Sequence, residues 1–303
     1  MASNEVPEKK TYFDSNGNEF EIPDYTIKQL RDAIPARCFE RSAAMGLFYV
    51  ARDVFCLATT FYLFNKYVTP ENIASYSIRT ALWTFYTFVQ GLFGTGLWVL
   101  AHEAGHQSFS PSKTLNDTVG WICHSALLVP YFSWKISHGK HHKSTGHIER
   151  DMVFCPATRD AYSTKIGKLA HELGELTEDT PIATLGKLFY QQLGGWPAYL
   201  ITNVTGHDYH ERQSEGKGKG MKNGFGPVNH FNPLSPLYER KDEHLIILSD
   251  IGIGITALVL FVLGQKFGWA NMGVWYFLPY LWVNHWLGKS LNTTSNEPSR
   301  LSY

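Results

Sequence analysis

Long runs with few or no charges alternate along this chain with polar stretches. Residues 81–101, ALWTFYTFVQGLFGTGLWVLA, hold 21 residues without a charge, close to the ~20 that a helix needs to cross the hydrocarbon of a bilayer. Residues 46–64 are apolar apart from the adjacent Arg52 and Asp53, whose opposite charges can pair or lie near one end of a span. Residues 245–264, with Asp250 as their one acid, and 272–287 form a second pair of apolar runs joined by QKFGWAN. Two further stretches do not fit a span. Residues 119–133 are apolar but short, and 188–204 are amphipathic and interrupted by Gly194, Gly195 and Pro197; both are read as surface-lying.

The positive charges fit this count, because short cytosolic loops carry the excess of Lys and Arg. Residues 1–45 hold six, 134–186 seven and 207–244 six, whereas the turn 65–80 holds only Lys66 and Arg79, and the second hairpin turn only Lys266. The pattern predicts an all-α integral membrane protein with four transmembrane helices in two hairpins, additional interfacial helices and both termini in the cytosol. The expected organisation is a cytosolic N-terminal segment over 1–45, with a short helix from about Thr26 and a break at Pro35, a membrane domain over 46–287, and a polar, disordered tail over 288–303.

Composition narrows the class. Mean hydropathy is slightly negative, which hides the segregation between apolar runs and polar loops. Lys plus Arg and Asp plus Glu number 27 each, so no global charge favours nucleic acid. Cys38, Cys56, Cys123 and Cys155 are far apart and form no CxxC, which suits a reducing face and indicates neither a disulfide framework nor a thiolate metal site. The start, MASNEVPEKK, lacks the apolar core of a secretory signal.

The candidate chemistry lies in two histidine clusters. HEAGH places His102 and His106 directly after the run 81–101, and HGKHH supplies His138, His141 and His142, five imidazoles within 41 residues. His102 and His106 are one helical turn apart, so a helix that continues through them projects both from one face, where they can bind metal. HEAGH also matches HExxH, the zinc protease signature in which Glu103 would be the general base. Five histidines exceed the three ligands of a hydrolytic zinc site, so two metals are the more natural reading, and an all-nitrogen donor set suits iron without excluding zinc or copper. The remaining histidines have plainer roles. His124, inside an apolar run, reads as a satisfied core residue; His147 reads as a loop histidine; His171, His207, His210, His230 and His244 read as surface imidazoles. EGKGKGMKNGFG, from Glu215, is a flexible basic loop that solvent or lipid headgroups would meet.

Through HEAGHQSFSPSKTLNDTVGWICHSALLVPYFSWKISHGKHHKSTGHIERDMVF the chain resembles the membrane-bound fatty acid desaturases, in particular the fungal microsomal Δ12 (oleate) type, and the likeness runs from about Asp24 to Leu287. What the resemblance implies is an oxidoreductase of unsaturated fatty acid biosynthesis in the endoplasmic reticulum membrane, multi-pass, with its histidine clusters facing the cytosol. Two Fe ions would form a di-iron centre, cytochrome b5 would deliver electrons, and O2 would serve to remove two hydrogens from a phospholipid-bound oleoyl chain. By the same resemblance His102, His106, His138, His141 and His142 are iron ligands and Glu103 is an outer-shell residue that orients one of them. Arg150 and Asp151 are expected to make structural pairs. Ala104 stands where the family commonly has cysteine. The family's third cluster, HxxHH, does not occur before Tyr303, which predicts incomplete iron binding and doubtful catalysis. The two alternatives are an intramembrane zinc metalloprotease using HEAGH and a non-catalytic membrane protein. The same scaffold also carries ω3 desaturation and hydroxylation.

Overall fold

A computed structural model describes residues 12–13, 17–20, 25–147, 150–151, 153–154, 180–206 and 228–292. The expectations for His171, His207, His210, Cys155, the basic loop from Glu215 and the tail from 293 onward lie outside the described residues, whereas 288–292, expected in the disordered tail, continue the last helix instead. Among the described residues the regular structure is helical except for a two-residue antiparallel ladder, β1 (Tyr12–Phe13) against β2 (Glu19–Phe20), which the apolar pattern did not predict. Residues up to Glu40 and from Arg41 to Asn292 fall into separate compact units. In the first, α1 (Ile27–Ala33) starts at a capping box between Thr26 and Gln29 and ends before Pro35, as the sequence predicts.

The second unit is built on four long helical stretches. α2 (Ala43–Tyr67) is capped by Ser42 and α3 (Tyr76–Gly105) by Ser75, each hydroxyl accepting a backbone N–H three residues on. α4 (Lys113–Ala126) and α5 (Tyr131–Ser144) follow. After the intervening residues come α6 (Pro181–Tyr190), a π-helical stretch at Gln191–Gly195 and α7 (Trp196–Thr202). α8 (Glu243–Phe267) turns at Gly268, whose φ of +89 only glycine adopts readily, into α9 (Trp269–Met272), a second π-helical stretch at Gly273–Phe277 and α10 (Leu278–Asn292). Among the described residues two helices are long and apolar enough to cross a membrane, Ala43–Tyr67 and the 28 residues Arg240–Phe267. α3 has the length, but its Thr, Gln, Gly and Tyr residues dilute its apolar character.

Close approach of these helices depends on small residues and one buried ion pair. The Asp53 carboxylate is 1% exposed and accepts from the half-exposed Arg52 at 2.7 Å, so the adjacent charges do pair. It lies against Gly96 of α3, where a Cβ would come within 2.5 Å of Oδ2. Gly91 meets Trp282 and Gly94 meets Val283, so α3 and α10 touch through a glycine seam.

One expectation is corrected here. Residues 119–133 do not lie on a surface. They form the end of α4, a turn at Leu127–Pro130 in which Leu128 takes a φ of +55, and the start of α5. Cys123, His124, Val129, Tyr131 and Phe132 are buried. The hairpin docks on α8, where the Ser249 hydroxyl accepts the N–H groups of Phe132 and Ser133 and the Trp121 indole donates to the Leu248 carbonyl. The run is short because two helices share it, and most of its apolar side chains face protein, although Ile122 remains exposed. In α6, by contrast, Ile182, Leu185, Leu188, Phe189 and Tyr190 are exposed.

The glycine seam yields a paired expectation. Gly91→Ala drives a methyl into the backbone-proximal Trp282 Cβ and should cost about 1–3 kcal/mol, an overpacking penalty. Gly254→Ala, with nothing within 4 Å of its Cβ position, should be neutral or stabilising. Thermal midpoints of the two variants in detergent check the contrast.

Candidate metal centre

The last turn of α3 continues the helix beyond the uncharged run, so His102 and the C-capping His106 project one turn apart. α5 presents His138, His141 and His142 on its final turns, four to eight residues beyond Trp134. The α4–α5 hairpin returns the chain so that these two helix ends meet. His102 Nε2 lies 2.9 Å from His138 Nε2 and 3.3 Å from His106 Nε2, and His138 Nε2 lies 2.9 Å from His142 Nε2. One ring nitrogen from each of the four falls within 4.8 Å of all the others. Nitrogens bound at about 2.0–2.1 Å to one metal ion sit roughly 3 Å apart when adjacent, so this donor set fits a single ion without rearrangement of the helices.

Aromatic side chains hold the rings in place. The His138 ring stacks on Trp134 at 4.2 Å between centroids, and the His102 ring on Trp98 at 5.6 Å. Trp98 and Trp134 meet edge to face, and Trp196 of α7 closes against Trp98. Such contacts contribute about 0.5–1.5 kcal/mol each beyond area burial. Beneath them His124 is fully buried, its Nε2 3.2 Å from the Trp98 carbonyl oxygen, which bears out its reading as a core residue.

Burial and the neighbouring imidazoles set the charge state. Burial, reinforced by the other imidazoles, pushes His138 down to about 2 and also lowers His106 and His142. These rings are neutral at pH 7, the form in which imidazole binds metal. Glu103 Oε1 lies 3.2 Å from His102 Nδ1, and Oε2 accepts from the Ser108 hydroxyl at 2.6 Å. Burial would raise the Glu103 carboxyl, but these hydrogen bonds and the imidazoles outweigh it and hold it below the usual carboxylate range.

Of the five histidines singled out in the sequence, the structure brings four into this group and turns the fifth aside. His141 Nδ1 is 2.7 Å from Oδ1 of Asp151, a carboxylate 1% exposed. Among the described residues Asp151 thus pairs with a histidine of the cluster. His147 is exposed in the loop, as is His244 at the start of α8. His230 corrects an expectation, because it is buried rather than superficial. Its ring packs on Tyr199 at 4.6 Å, its Nε2 lies 3.2 Å from the Ser137 hydroxyl and its Nδ1 3.3 Å from the Leu200 carbonyl oxygen. Irregular spacing in a polar loop carried no sign of this. His285 joins no group of donors; its Nδ1 lies 3.0 Å from Gln192 Oε1. Trp134, four residues before His138, was a visible signal for the stacked wall.

The family model described as Fatty acid desaturase matches residues 81–295. An oleate hydroxylase of Claviceps purpurea is 57% identical over 95% of this chain and 61% of its own length. A Δ12 fatty acid desaturase of Mortierella isabellina is 42% identical over 88% of the chain and 64% of its own length, and the corresponding enzyme of Arabidopsis thaliana is 36% identical over 88% and 63%. The chain therefore spans about three fifths of the length of the curated relatives it matches. The zinc protease reading of HEAGH finds no support.

The depressed imidazoles have a pH consequence. His138, His124 and His230 are held at about 2, 3 and 4, against 6.5 in an unperturbed chain, in each case chiefly by burial. Below 6.5 the unfolded chain takes up protons that the folded chain refuses, so stability falls as pH falls. The thermal midpoint of chelator-treated protein in detergent should drop between about pH 7.5 and pH 5. An unchanged midpoint would mean that the folded rings accept protons freely.

Proposed function

Because the chain belongs to the fatty acid desaturase family, we propose that it works in the membrane as an acyl-lipid desaturase of the Δ12 type, using O2 to introduce a double bond into an oleoyl chain. The observation that carries this reading is the convergence of four imidazoles, His102, His106, His138 and His142, on one point at the end of an apolar helix. In this reading the ions are iron, two in number. The clustered four hold one, and His141 is a donor for the second. Iron bound here would supply the activation of O2 that abstraction from an unactivated C–H bond requires. The chain's own residues hold the site. Glu103 takes the Nδ1 side of His102, which leaves Nε2 for metal. Trp98, Trp134 and Trp196 exclude water from beneath the rings.

Four spans belong to the same proposal. α2, α3, α8 and the stretch 269–292 are each of at least 24 residues, about 36 Å at the helical rise of 1.5 Å per residue, enough to cross. With the first and third entering from the cytosol, both histidine clusters face that side, at the endoplasmic reticulum membrane, where cytochrome b5 would reach them. The exposed apolar side chains of α6 then lie in the membrane interface.

A second reading has a specific observation behind it. The relative that is 57% identical is an oleate hydroxylase, and hydroxylation needs the same site with a different fate for the abstracted position. Expression in a yeast host without Δ12 desaturase, followed by analysis of membrane lipids and of iron in the purified protein, separates the outcomes. Linoleate with bound iron is expected, and His138→Ala should lose both. Hydroxylated oleate would favour the second reading, and absence of both iron and products would overturn the proposal.

A further inference from the structure

We infer that Asp151 is a positioning residue for His141, fixing the tautomer and the aim of a metal-binding imidazole from outside the cluster; this rests on the metal-centre reading above. The Asp151 side chain is buried in the turn after α5, and among the described residues it is met by a ring nitrogen and three backbone N–H groups. Its Oδ1 accepts from His141 Nδ1 at 2.7 Å and from the backbone N–H groups of Val153 and Phe154 at 3.0 and 3.2 Å, and its Oδ2 accepts the Gly146 N–H at 3.2 Å. Backbone N–H groups donate to both oxygens of this carboxylate, the arrangement of an acceptor, so the hydrogen between Oδ1 and the ring belongs to Nδ1. The lone pair of His141 is then on Nε2, the same atom through which the other four histidines face one another.

The anchor is itself anchored. Gly146 takes a φ of +75, which folds the chain back after α5. Val153, two residues beyond the carboxylate, packs into the core of Val129, Trp134, Tyr199 and Leu200, and its carbonyl accepts the Thr205 hydroxyl at 2.7 Å. Asp151 is therefore tied to the aromatic wall that stacks on His138. The His141 ring stands 6.1 Å from His138 and 5.8 Å from His142 between centroids, beside the group of four rather than within it. A ring in that position has no stacking partner among the tryptophans, and Asp151 supplies the orientation that Trp134 and Trp98 supply to His138 and His102.

The test is titration of Co2+ into the chain in detergent, read from its visible spectrum; the four clustered histidines take the first equivalent, and the losses stated next are those of the second, which His141 serves, so that a wild-type chain binding one equivalent alone would overturn the inference. Asp151→Ala should weaken Co2+ binding by about 10–100-fold, as removal of such an outer partner commonly does. His141→Ala should weaken it comparably, and the double variant should be no worse than His141→Ala alone, because the carboxylate acts through that ring. Asp151→Asn, which keeps an oxygen acceptor, should stay within about threefold of wild type. Thr205→Val, which frees the Val153 carbonyl but leaves the contacts of Asp151 itself in place, should cost much less than Asp151→Ala. If Asp151→Ala does not fold, Asp151→Ser keeps an acceptor for the N–H groups of Val153 and Phe154 but falls short of His141, and should show the same loss. Independent, multiplying losses from Asp151 and His141, or an equal loss in Thr205→Val, would overturn the inference while leaving the metal centre intact. A wild-type chain that binds no Co2+ would overturn both.

Discussion

The contact on which the rest depends is the meeting of two helix ends, the last turn of α3 and the last turns of α5, with imidazole nitrogens 2.9 Å apart across 36 residues of sequence. Neither end could hold that position alone. His138 is largely withdrawn from solvent there, and the rings acquire one another as neighbours, both of which disfavour the charged form. What stabilises the convergence is apolar, namely the Trp98–Trp134 pair on which His102 and His138 lie flat, with His124 beneath. A cluster of neutral nitrogens held by indoles is a preformed metal site, because neither protons nor side-chain rearrangement need be displaced at much cost.

That wall in turn requires the α4–α5 hairpin to sit inside the protein. A turn this deep leaves backbone groups to be satisfied, and the structure answers with side chains. The Ser249 hydroxyl accepts two amide hydrogens at the start of α5. Asn116 donates to the Ser110 carbonyl, and Lys135 with Tyr131 and Gln107 converge on Asp117 between the helices. The close approaches at Gly120 against Tyr131 and Gly252 against Ser125 show how little space the hairpin has. Rigidity of this kind suits a site that must hold its donors fixed while a reactive centre works between them.

The two carboxylates near the cluster play parallel parts. Glu103 stands on the Nδ1 side of His102 and Asp151 on the Nδ1 side of His141, yet they are built differently. Glu103 is half exposed and adjacent in sequence to its histidine, whereas Asp151 is buried and reached by ten residues of chain. The first is visible in the motif itself. The second has no signature in spacing, since ERD after a histidine cluster reads equally well as a solvated turn.

Sequence alone was enough to place the long apolar runs, the cap and break around α1, the Arg52–Asp53 pair, the core role of His124 and the candidate donors, because each follows from local composition or helical period. The two apolar runs joined by QKFGWAN marked the second hairpin for the same reason. The burial of residues 119–133, the burial of His230 beneath α5, the separation of His141 from the other four and its capture by Asp151 were decided only in the tertiary structure. These depend on which helix ends come together, a matter of packing across tens of residues, and an imidazole in a polar loop or a short apolar run carries no mark of the neighbour that will cover it.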